Sequence, residues 1–189
     1  MNKKTLWIAR TALFLAIVVL AQYLGKLVPS VGITSQLVTG SIVNMALIVA
    51  GIVAGLWSGV AIGCISPVLA FLLGIGPVFP VIVPCIALGN VIIVLLTSLV
   101  YKAFAKKSKN TKLVGNIVGF LASAVAKGGF LWLAVVALVL PLITEAKPPQ
   151  VKALSLMFSW PQMITAATGG MLALAIIPVQ LKARKGANQ

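Results

Sequence analysis

The sequence predicts an all-α integral membrane bundle of six transmembrane helices. Of its 189 residues, 61% are hydrophobic and 8% charged, against about 25% charged in an ordinary soluble domain. Six apolar stretches are long enough to cross the hydrocarbon core, which takes about 20 helical residues. Basic residues gather at the ends of these stretches, mostly on one side. So much apolar surface needs a non-aqueous solvent, and the length suits one compact bundle rather than two domains.

The spans fall near 6–28, 36–54, 57–74, 80–102, 112–142 and 157–181. Lys3 and Lys4 precede the first. A signal peptide cleaved near Val19-Leu20-Ala21 is the alternative there, but Arg10 interrupts the run and hydrophobicity resumes from Leu24 to Val28. The second opens with Gln36, Thr39, Ser41 and Asn44, then runs from Ala46 to Ala54 without a polar side chain. Only Gly55, Trp57 and Ser58 mark the turn into the third. The fourth carries Asn90 near mid-depth, followed by apolar Val91 to Leu96. Lys127 lies near the middle of the fifth. The sixth starts with Gln162, Thr165 and Thr168, whose spacing of three puts them on one broad face.

Charge fixes the direction. Lys3, Lys4, Arg10, Lys102, Lys106, Lys107, Lys109, Lys112, Lys182, Arg184 and Lys185 fall on one side of a six-span chain, and Lys26, Lys147 and Lys152 on the other. Eleven against three is a positive-inside bias. It places both termini and the 103–111 loop in the cytoplasm, in a multi-pass protein of the plasma membrane. Trp7, Trp57 and Tyr101 then sit at the inner interface, Tyr23 and Trp160 at the outer one.

Composition excludes several functions. Glu145 is the only acid, and histidine and aspartate are missing, so hydrolytic acid–base chemistry and acid-rich metal sites lack their parts. The chain is expected to be no enzyme and to need no cofactor or metal. Cys64 and Cys85 have no CxxC spacing and read as small packing residues. The net charge of +14 reflects membrane topology rather than a nucleic-acid face. No phosphate-binding loop occurs, and one acid cannot build a proton relay. Uphill transport would draw its energy from a partner.

Polar side chains collect in the outer half of the predicted bundle. In a membrane such groups face the interior or a wet cavity, so Gln36, Asn44, Asn90, Gln162 and Thr165 are candidate substrate contacts in a pocket open outward and closed below. Interhelical hydrogen bonding without a ligand is the alternative. Gly119, Ser123 and Lys127 lie within roughly 80° on one helix face, which points Lys127 inward. A substrate carboxylate is one partner for it; otherwise it snorkels, pairs with Glu145 or gives up its charge. Gly128-Gly129 beside it admit close approach. The proline-containing segments 74–80 and 145–150 are candidate lids. Trp132 and Trp160 are either stacking residues for an aromatic ligand or interfacial anchors. Ala12-x-x-x-Ala16 offers a small-residue face for close helix contact, with a partner or within the same bundle. Gly51, Gly55, Gly59 and Gly63 keep the same spacing but cross the predicted turn.

The N-terminal Lys-Lys, the run Ala-Arg-Thr-Ala12-Leu-Phe-Leu-Ala16, the segment Gly74-Ile-Gly-Pro-Val-Phe-Pro80 and Ile86-Ala-Leu-Gly-Asn90, with the basic tail, resemble the substrate-binding S component of energy-coupling factor (ECF) vitamin transporters. The resemblance covers nearly the whole chain. It implies high-affinity capture of a water-soluble vitamin or precursor from outside, association with a transmembrane T component and two ATPases, and docking through Ala12 and Ala16. Lys127 and the shortage of acids favour an anionic or neutral ligand, pantothenate- or nicotinate-like, or a neutral ring held by Asn90 and Gln162. Cationic thiamine fits poorly. A stand-alone secondary transporter or channel is the competing class, and a ligand-free scaffold the third.

Overall fold

The computed structural model describes residues 2–27 and 33–186, which are helical apart from short turns and contain no strand. The helices are α1 (Lys3–Leu27), α2 (Ile33–Val49), α3 (Leu56–Leu72), α4 (Ile82–Ala103), α5 (Lys109–Leu131), α6 (Pro148–Met157) and α7 (Trp160–Gly186). Five helical stretches are long and apolar enough to cross a membrane, and the 17-residue α3 is a shorter apolar helix among them. Val28, the expected end of the first span, lies outside the described residues.

Short connections force neighbouring helices antiparallel. α2 runs into a π-helical turn, Ala50–Ala54, and stops at Gly55. Gly55 has φ +123° and donates its N–H to the Ala50 carbonyl at 3.0 Å. A side chain is strained in that conformation, so this glycine makes a one-residue turn possible. The segment read from sequence as charge-free and weakly marked is thus a tight hairpin. Gly51 and Gly59 meet across it: a Cβ on Gly59 would lie 2.8 Å from the Gly51 Cα. Backbones can approach this closely only without side chains between them.

α2 and α5 both pack against α7, α4 lies between α3 and α5, and α1 rests on α2 and α3. α1 is peripheral, with Ala12 and Ala16 both exposed. One apolar cluster, including Leu47, Ile48, Ile93, Phe120 and Ile177, fills the half of the bundle nearer the 104–108 turn. That half is the basic end, since Lys102, Lys106, Lys107, Lys109 and Lys112 surround the turn. A smaller cluster of Ile82, Leu131, Val135, Leu140, Leu154 and Phe158 lies at the opposite end.

One expectation changes here. The 145–150 segment is not an irregular lid. Pro148 and Pro149 open α6, where a missing N–H costs no helical hydrogen bond, and Gln150 accepts the Lys147 N–H at 3.0 Å. α6 drops Leu154 into the smaller cluster. The predicted sixth span therefore corresponds to α7 alone, with a separate short helix before it.

Candidate functional site

A cavity of about 470 Å³ opens at the α6 end, within the range of small-molecule clefts (about 300–1,000 Å³). The ends of α1 and α3 and the starts of α2, α4 and α7 form its walls; α6 and residues 75–78 border it as well. Lys127 reaches it from α5.

Lys127 is 3% exposed, and its Nζ donates to Asn44 Oδ1 at 2.6 Å and to Asn90 Oδ1 at 2.8 Å. Both amides are aimed by bonds on their other side. Asn44 Nδ2 donates to the Gly40 carbonyl at 2.8 Å and to Thr165 Oγ1 at 3.4 Å. Asn90 Nδ2 donates to the Gly63 carbonyl at 3.3 Å. That carbonyl is free for a reason written in the sequence. Pro67 lies four residues later inside α3, and its missing N–H leaves the Gly63 oxygen without a helical donor. Asn90 supplies the replacement. Gly63 also makes room, because a Cβ there would sit 3.2 Å from Asn90 Cβ.

The network explains how a lysine is tolerated at this depth. A lysine at the centre of a spanning helix costs about 2.5–3.5 kcal/mol on insertion scales. Hydrogen bonds to a charged group contribute about 1.5–3 kcal/mol each, so two offset that cost without an acid. Glu145 is exposed in the following turn and is not Lys127's partner. Amide oxygens solvate an ammonium but leave its charge uncancelled. Of its three N–H donors, Asn44 and Asn90 take two, and the third remains for the cavity.

The other sequence candidates divide. Gln36 and Gln162 line the cavity, but their Nε2 groups converge on the Met157 carbonyl, at 2.7 and 3.0 Å. They tether the end of α6. Thr165 is buried beneath the lining, donating to the Gln162 carbonyl at 3.1 Å and holding Asn44 in place. Thr168 is exposed and leaves the face shared by Gln162 and Thr165, because two steps of three residues turn a helix by about 120° away from the start. Trp160 and Trp132 are both about half exposed and stand outside the lining. That arrangement suits interfacial anchors. Gly128 packs against Met163, whereas Gly129 faces open space.

Sequence reasoning omitted Lys26, which lines the mouth and donates to the Gly74 carbonyl at 2.6 Å. It stands on the sparsely charged side of the bundle, and that exception to the bias was its signal. Pro67, another lining residue, was detectable as a proline inside an apolar span.

Comparison with curated proteins and with solved structures returns no match. The profile of the family described as "ECF transporter, substrate-specific component" matches residues 7–181. With nearly its whole length matched, the chain belongs to the substrate-specific components of ECF transporters.

Proposed function

We propose that this substrate-specific membrane subunit captures an anionic or neutral water-soluble vitamin or precursor, pantothenate- or nicotinate-like, in the cavity floored by Lys127. The carrying observation is the Lys127–Asn44–Asn90 cluster: a cation solvated by neutral amides, with a donor left over, at the bottom of a cavity with no acid in its lining. A carboxylate supplies the missing charge. It does so where water is scarce and the Coulomb attraction correspondingly strong.

The cavity faces outside in this reading, and both termini are cytoplasmic in the plasma membrane. The positive-inside bias supports that direction. The apolar half below the lysine leaves a lone chain without a wet path, which counts against a channel or stand-alone transporter. Delivery then falls to partners, a transmembrane T component and two ATPases that hydrolyse ATP. The outward-facing Ala12 and Ala16 support docking through α1.

The test is a thermal-shift and competition-binding panel on purified protein in lipid nanodiscs, comparing carboxylates, neutral rings and organic cations. A cognate ligand at about 100 times its dissociation constant stabilises by roughly 2.7 kcal/mol. Carboxylates or neutral rings should shift the transition. Tight binding of a cation that persists in Lys127→Ala would sink the proposal.

A further inference from the structure

The cavity contains a second cation. Lys26, on the last turn of α1, lines it together with residues 75–78 of the α3–α4 connection. The two lysines stand at different depths. Gly25 packs against Thr39, and Ser35 donates to the Gly25 carbonyl at 2.6 Å, which sets Lys26 level with residues 35–39 of α2. Lys127 is level with Asn44. Five to nine residues of helical rise separate these levels, about 8–14 Å. Val43, Pro67, Ile86 and Leu131 line the same cavity with apolar surface. No aspartate or glutamate does so.

An exposed lysine at a helix end ordinarily extends into solvent and interacts favourably with the helix terminus. Lys26 instead reaches the Gly74 carbonyl on the facing loop, which uses one of its three donors. Its remaining donors and its charge stay at the mouth.

We propose that Lys26 is a second anion-contacting residue, and that the substrate carries an anionic group at each end, one on Lys127 at the floor and one on Lys26 at the mouth. The inference rests on the reading of this cavity as the substrate site with a carboxylate on Lys127, and it replaces the pantothenate- or nicotinate-like monoanion or neutral ligand with a small dianion that has an apolar middle.

The experiment measures equilibrium binding of adipate and suberate, each beside its monomethyl ester, to wild type, Lys26→Gln and Lys127→Gln in zwitterionic nanodiscs. Glutamine removes the charge and keeps an N–H donor, on a side chain one bond shorter. Wild type should prefer a diacid over its ester by about tenfold or more, as for a close charge pair. Lys26→Gln should erase that preference while binding the ester as wild type does. Survival of the preference in Lys26→Gln, equal binding of both forms by wild type, or no binding of either overturns the inference. If the preference survives and Lys127→Gln abolishes binding of the ester, the dianion idea fails alone and the carboxylate site stands. If Lys127→Gln leaves ester binding unchanged, the site reading fails with it.

Discussion

The two ends of the bundle use polar side chains differently. At the α6 end, Lys127, Asn44, Asn90 and Thr165 bond across helices and converge on one space. At the basic end, Thr97 returns its hydroxyl to the Ile93 carbonyl of its own helix at 2.6 Å. Ser98 Oγ and Asn116 Oδ1 are buried without a protein partner. Among the described residues, an interhelical bond there is a hydroxyl pair, Thr11 to Ser58 at 2.9 Å. Polar residues thus occur in both halves, and the half nearer the basic turn is mostly, not wholly, apolar. A polar side chain whose hydrogen bonds all end on its own helix adds nothing to a site. A site requires donors and acceptors from several helices facing a common void, as at Lys127.

The contrast can be broken at four positions. Phe120→Ala, in the apolar half, removes a fully buried ring and should cost about 3 kcal/mol. That is the low end for such truncations, because lipid replaces water as the reference solvent and only lost packing remains. Unfolding in mixed micelles measures it. Ligand preference should stay intact, and a changed preference would mean that the floor contributes to recognition.

Lys127→Met tests the other half. Carboxylate affinity should fall at least about 100-fold, or roughly 2.7 kcal/mol, by isothermal titration. A loss under threefold would reduce the cluster to interhelical glue.

Gly169 sits where the halves meet. A Cβ there would lie 2.7 Å from Asn44 Cβ and from the Ser41 carbonyl. Gly169→Val should therefore cost about 1–3 kcal/mol through overpacking and weaken binding by displacing Asn44. Gly129→Ala, into open space, is the control and should leave the unfolding midpoint in place.

The smallest effect is expected at Trp160. Removing it should leave ligand affinity within about twofold, since the side chain stands outside the cavity lining. A large loss on Trp160→Ala would show that the site extends beyond the cavity lining.

Sequence by itself determined the solvent and the helical class, because hydropathy and charge position are additive along the chain, and its short motifs carried the family resemblance that the profile match over residues 7–181 bears out. It also singled out Lys127, Asn44 and Asn90, since burying such groups in lipid demands partners. Which partners they find was decided by tertiary structure. The Asn90 contact depends on a carbonyl freed by Pro67 on another helix. Gln36 and Gln162 are diverted to the end of α6, and Thr168 turns outward while Thr165 turns in. Sequence spacing sets the angle between residues on one helix, but helix crossings set what stands opposite them. Hydrogen bonding depends on that opposing position.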